Sequence, residues 1–234
     1  MNFYSLKLKL WDDSEIDRKS ESPRVYPQAN GGKIFNARGF LGINGKIHMT
    51  DYVDETPVFD YFYLYNLSSQ REDDWILLDA YAFAGQNYPL IRGFLISEKF
   101  RQVLLSCKIA DPSRFYKSKL MYKGEKIDYY IFHLAQDEWM NFHSHESAFY
   151  FDDKRIDVLI DSNASLKNLI SDAKNQQKDL SMNLVLKDYA DIFFFSQFNY
   201  VVSEMLKQKM ESEGLKGISF TYLENVNFQF KFSA

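Results

Sequence analysis

The chain of 234 residues has one cysteine, Cys107, so no disulfide can form within it. That cysteine falls on an apolar helical face, where a lone thiol reads as packing rather than as a nucleophile. No apolar run approaches the ~18 residues that a membrane-spanning helix needs. Basic residues are in deficit, 28 against 32 acidic, for a net charge of −4. That balance argues against sequence-independent nucleic-acid binding, which needs a basic surface. The opening "MNFYSLKLKLWDD" alternates apolar residues with lysine and has no continuous apolar stretch of the secretory kind. A soluble cytoplasmic protein is expected. Also missing are a G-x-S-x-G elbow and the regular βαβα alternation of a doubly wound sheet.

Apolar and aromatic residues are plentiful. Hydrophobic residues make up 46% and aromatics 17% of the chain, ample for a core and contrary to disorder. Phe3 to Leu10 alternates with the period of a half-buried strand. Residues 12–32 are polar, with Pro23, Pro27 and a Gly pair, and read as loop. "VFDYFYLYNL" is aromatic-rich and β-prone; "WILLDAYAFAG" fits a strand or a buried helix. "RFYKSKLMYKG" and "KIDYYIFHLA" flank Gly124 as a hairpin, and "SAFYF", "RIDVLID" and "MNLVLKDYADIFFF" read as further strands. "SLKNLISDAKNQQ" has helical spacing with Ser165 as N-cap. "VNFQFKFS" alternates strictly. The expectation is an α+β fold, mainly antiparallel sheet with about three helices, in a single domain over 1–234. Possible subdomains are a β-rich 1–88 and a remainder, 89–234.

Few residues propose chemistry. Gly39, Gly42 and Gly45 space like a phosphate cradle, but no helix follows, so turn chemistry is the reading. In "NFHSHES", His143 and His145 would share a strand face and could hold a metal if a third ligand were supplied; a surface pair beside a turn is the plainer reading. Adjacent carboxylates such as Asp12-Asp13 and Asp152-Asp153 point apart on strands and suit solvated turns. Neither a cofactor nor a catalytic residue is assigned.

Two stretches repeat: "LISEKFRQVLLS" from Leu95 and "VVSEMLKQKMES" from Val201. Ser97 and Ser203 stand between an extended apolar run and a helical pattern, as N-caps do. Glu98 and Glu204 then sit at the positive end of the helix dipole. Phe100, Val103, Leu104 and Cys107 make one buried face; Val202, Met205, Leu206 and Met210 make the other. Gly214 suits a left-handed helix end, with Leu215 packing back. Both copies read strand, Ser-capped helix, strand.

These stretches, in order with "YYIFHL", "HESAFYF" and "GLKGISF", resemble the immunity proteins of bacterial polymorphic toxin systems. A "vSe-x-lk-x-ll" helix, a "Yyil" strand, an "S-x-f" segment and a C-terminal "dlF…vSe-x-lk…gl-x-G-i-x-F" recur there. The resemblance covers roughly residues 89 to 220, and includes Ser97, Glu98, Leu104, Tyr129, Tyr130, Ser147, Phe149, Asp191, Phe193, Ser203, Glu204, Leu206, Gly214, Gly217 and Phe220. Before Ser147 the chain departs from it, reading "NFHSH". The resemblance implies a cytoplasmic antidote rather than an enzyme, binding a cognate toxin domain through a complementary surface. Exposed acidic loops are the first places to look: Asp54 and Glu55, and Glu72, Asp73 and Asp74 with Trp75. Two other classes compete: a metal-dependent hydrolase using His143 and His145, and an aromatic-rich carbohydrate- or peptide-binding module.

Overall fold

The longest ladder is the expected hairpin, β7 (Ser113–Tyr122) with β8 (Glu125–Leu134), paired from Tyr122↔Glu125 back to Ser113↔Leu134. Its two-residue turn needs positive φ at both positions, and Lys123 (49°) and Gly124 (82°) supply it. The computed structural model describes residues 1–9, 27–32, 34, 37–42, 44–65, 76–84 and 89–231. Around the hairpin lies a seven-stranded sheet. In the order β4-β6-β8-β7-β3-β2-β5, it adds β4 (Ala80–Tyr81), β6 (Gly93–Ser97), β3 (Phe59–Tyr65), β2 (Gln28–Asn30) and β5 (Phe83–Ala84). Both faces are buried, and alternation assigns the side chains. Phe94, Ile96, Phe132 and Leu134 enter one core; Leu95, Tyr116, Leu120, Tyr129 and Ile131 enter the other.

Two four-stranded sheets pack on the first core. One is β12 (Ile192–Phe195), β13 (Asn199–Ser203), β1 (Phe3–Leu8) and β14 (Ile218–Tyr222). The other is β10 (Lys154–Ile156), β9 (Ala148–Phe151), β11 (Leu180–Leu186) and β15 (Val226–Phe230). Phe3, Phe193 and Phe228 join them, with ring centroids 5.1 to 5.9 Å apart and steep interplanar angles. Pairing is mainly antiparallel; β3–β7, β2–β5 and β11–β15 run parallel. The fold is α+β. A division near residue 88 is not followed by the sheets: β1 pairs with β13 and β14, and β2 to β5 share a sheet with β6 to β8. The described part of "WILLDAYAFAG", Ile76 to Ala84, contains β4 and β5, two short strands.

Four helices are present among the described residues: α1 (Glu98–Leu105), α3 (Asn163–Asn175), α4 (Glu204–Ser212) and a single turn, α2 (Glu138–Asn141). The repeated serines are N-caps: Ser97 Oγ accepts from Phe100 N and Ser203 Oγ from Leu206 N, both at 3.2 Å. Gly214, at φ +62°, ends α4 in a full Schellman arrangement. Leu215 N–H donates to Met210 O and Gly214 N–H to Glu211 O. Two expectations are corrected. The cap of α3 is Ser162, whose Oγ accepts from Ser165 N–H, and Ser165 is its N3 partner, its Oγ accepting in return from Ser162 N–H. A serine there plays the part usually taken by Glu or Gln, so the helix begins earlier than its apolar spacing suggests. Met205 is 56% exposed rather than buried, because it stands about 100° around the helix from the inward stripe of Leu206 and Met210.

Each capping serine also donates. Ser97 Oγ donates to Asp79 Oδ1 and Ser203 Oγ to Asp191 Oδ1, both at 2.7 Å. The second oxygen of each carboxylate accepts a backbone N–H from beyond the other helix. Lys216, past α4, donates to Asp79 (2.8 Å); Lys108, past α1, donates to Asp191 (3.0 Å). Backbone pairs complete both junctions: Asp79 N–H to Lys216 O and Ser97 N–H to Asp79 O, and Asp191 N–H to Lys108 O and Ser203 N–H to Asp191 O. The two copies therefore form reciprocal locks, each helix start tied to the exit of the other helix. Lys99 on α1 donates to Glu213 O and Lys209 on α4 to Ser106 Oγ, repeating the exchange at the C-terminal ends.

Replacing Asp191 by Ala leaves Ser203 Oγ, Lys108 N–H and the Tyr189 hydroxyl without their acceptor. The expected cost is about 3 kcal/mol in urea unfolding, against about 1 kcal/mol for Ser97→Ala. An Asp79→Asn/Asp191→Asn double-mutant cycle is expected to show coupling of at least about 0.5 kcal/mol; additive losses would make the locks independent.

Candidate functional site

The end of the β7–β8 hairpin opposite its turn carries Arg114 facing His133 across the ladder. Both side chains hold the loop 48–58. His133 is fully buried, and its Nε2 lies 2.6 Å from Met49 O. A carbonyl only accepts, so Nε2 bears the proton and Nδ1, buried with no partner, does not. Burial holds the His133 pKa below its ordinary value, the Met49 bond opposing and the nearby Arg114 and Arg92 adding to the effect. Arg114 donates from Nε (3.0 Å) and Nη2 (2.8 Å) to Asp54 Oδ1, and its guanidinium lies 4.2 Å from the Tyr52 ring centroid. Met49 N–H donates to Leu90 O, and His48 and Asp51 pair backbone to backbone. The loop is thus strapped at Met49 and Asp54. It presents Met49, Tyr52 and Val58 as exposed apolar groups among the carboxylates of Asp51, Asp54 and Glu55.

Of the acidic candidates, Asp54 is therefore committed to Arg114, while Glu55 is exposed beside it. Glu72, Asp73, Asp74 and Trp75 lie outside the described residues. Tyr52 and Met49 were not singled out by the sequence reading. The signal available was an aromatic set between Asp51 and Asp54.

On the other side of the same hairpin end is a cleft of about 560 Å³. It is bounded by the exit of α1 (108–112), the segment from β8 through α2 (135–141) and the β11–β12 connection (187–190). Ala110, Ala135, Ala190 and the polar Gln136 are its buried lining, and Met140, 70% exposed, stands at its rim. Asp111, Asp137 and Asp188 bring exposed carboxylates to it. Lys187 is turned onto Met140 O at 2.5 Å, and Asp137 caps α2 through Trp139 N–H at 3.0 Å. Tyr189 lines the cleft with its hydroxyl committed to Asp191; burial, then that carboxylate, push its pKa up to about 12. Beneath, Arg92 donates to Gln136 O and lies 4.6 Å from the Phe194 centroid. The buried Glu138 accepts from Ser196 N–H; desolvation raises its pKa, against that hydrogen bond.

His143 and His145 do not share a strand face. Residues 144–146 form a turn, since the chain leaves the Phe142↔Leu186 bridge before β9 begins. His143 Nδ1 is 3.9 Å from Glu146, whose carboxylate is held by Lys231. Among the described residues no group of three or more His, Cys, Asp or Glu side chains is placed to hold a metal ion. Ser147 donates to His143 O (2.8 Å) and accepts from Val185 N–H (2.9 Å), pinning that turn to β11. Cys107 is half-buried, and burial beside Asp191 pushes its thiol up to about 12. Among the described residues no helix is long and apolar enough to cross a membrane. No model of a known protein family matches the chain, and no characterised protein does.

Two pH effects follow. The folded state keeps His133 neutral below its ordinary pKa, so its contribution is complete above about pH 6.5 and is lost as pH falls through that value. Urea midpoints are expected to drop between pH 7.5 and 5.5, and less so in His133→Gln. Glu138 has the opposite sign: its raised folded pKa favours the protonated form, so stability is lost as pH rises through that pKa. Glu138→Gln is expected to raise the urea midpoint at pH 7 more than at pH 4.

Proposed function

We propose that the chain is an immunity protein that binds and neutralises a protein toxin domain, acting through a surface rather than through a reacting site. One observation supports this most. The residues that carry the resemblance are spent on the frame: Ser97 and Ser203 cap helices and donate to Asp79 and Asp191. Ser147 pins a turn, and Gly214 ends α4. Gly217 passes so close to Ala80 O that a Cβ there would meet it at 2.5 Å. What this frame presents at one end is a strapped loop of apolar and acidic side chains. That combination is what protein interfaces use, an apolar or aromatic anchor for retention and charge for approach and partner choice. Exposed Tyr52, its ring fixed by Arg114, is the anchor of this reading, and Asp51 and Glu55 are its charged rim.

The reading is tested by asking whether a gene adjacent to this one encodes a secreted protein with a toxin domain, and by co-expressing that domain with this chain. Rescue of growth and a stable complex are expected. Tyr52→Ala and Glu55→Lys should each weaken that complex about tenfold, with the urea midpoint little changed. Failure of rescue by the unaltered chain rejects the immunity reading. Unchanged affinity in both variants moves the contact away from this loop.

A further inference from the structure

The alanine-lined cleft and the strapped loop meet at the same end of the hairpin: Pro112 lines the cleft, and Arg114, two residues on, holds the loop. The charges there are unequal. Asp111, Asp137 and Asp188 face the cleft, and Asp51 and Glu55 lie on the loop. Of the cations, Arg114 is matched by Asp54, Lys187 is turned onto a backbone carbonyl, and Lys108 lines the cleft with its side chain exposed, so the carboxylates outnumber the lysines there by five to two. The cleft itself combines three small apolar side chains, a tyrosine ring, two amide side chains, and both carboxylates and lysines among its lining.

We propose that this cleft receives an arginine side chain from a basic partner protein, which deepens the toxin-binding reading and rests on it for the identity of that partner. The aliphatic stem would lie along Ala110, Ala135 and Ala190, where it is removed from water. The guanidinium would stack on Tyr189, whose ring is fixed both by its hydroxyl on Asp191 and by an edge contact with Phe230, centroids 5.1 Å apart. Its planar fork reaches two carboxylates at once, which a lysine ammonium does less well. Asp137 is partly committed to α2, so Asp111 and Asp188 are the acceptors that matter. A norleucine side chain would fill the same lining but leave the mouth unanswered.

The test needs no toxin. Acetyl-Gly-Arg-Gly-amide is titrated into the isotope-labelled full chain and backbone amide shifts are followed, with norleucine and lysine tripeptides alongside. The arginine peptide is expected to shift amides of 108–112, 135–141 and 187–190 saturably, with a Kd on the order of 1 mM, as suits one isolated side chain. Asp188→Asn and Asp111→Asn, both exposed and away from the locks' hydrogen bonds, should each weaken it about tenfold, the worth of one charge-assisted hydrogen bond. Absence of saturable shifts there, equal affinity for the norleucine peptide, or no loss in either variant overturns the proposal. A positive titration with failed growth rescue keeps the arginine cleft and discards the toxin; rescue without titration does the reverse.

Discussion

The structure depends on two carboxylates, those of Asp79 and Asp191, each accepting a serine hydroxyl and a backbone N–H from the far end of the other repeat. A helix start normally leaves backbone donors unanswered, and a serine cap answers one. Here the cap is itself held, so the direction of the helix is fixed relative to the short strand that the aspartate immediately precedes. Because the remaining oxygen takes its donor from beyond the opposite helix, neither half completes its junction without the other. The strand pairs match as well: Ala80↔Ile96 in the first copy and Ile192↔Val202 in the second stand one residue inside the locks. The duplicated "Ser-Glu" stretch is thus half of a device whose other half is a single aspartate upstream.

That division explains what could be read from the sequence. Caps, the hairpin turn and the Schellman end of α4 are local, governed by residues within a few positions, and were legible. The role of the aspartates was not, although the resemblance includes Asp191, because they stand 18 and 12 residues before their serines, with unlike sequence between. Their second donors come from 137 and 83 residues away. The helix α3 shows the same limit at short range: the apolar spacing located the helix but not its cap, since two serines three apart can each serve as cap or as N3 partner.

At the candidate site residue types are readable along the chain, but their roles come from the fold. Asp54 and Glu55 look equivalent in "DETP", yet Asp54 is taken by an arginine 60 residues along, and only Glu55 keeps its charge for a visitor. The cleft has no sequence signature at all. Its buried apolar lining is three alanines, a residue common everywhere, contributed by three separate connections. Its shape comes from a difference between the two copies. After Lys216 the chain enters β14 directly, whereas after Lys108 it turns through Ala110, Asp111 and Pro112 before β7 begins.

A locked frame suits a protein that works by presenting a surface. Association costs translational and rotational freedom, and any loop that must also be ordered on contact adds to that cost. Here the ordering is done on folding: His133 and Arg114 fix the loop to the central sheet, and Asp191 fixes the tyrosine ring at the cleft. The carboxylates that remain at the rim are exposed, so salt screens them and they contribute more to the rate and selectivity of encounter than to its lifetime. In the proposed complex, retention would come from what is desolvated, Tyr52 on one side of the hairpin end and the small-residue cleft on the other. Both are held by residues that also maintain the fold, so the two sides move little relative to their supports. A partner that matched both would meet little further ordering cost, which is the physical advantage of tying the loop to the central sheet and the cleft to the Asp191 lock.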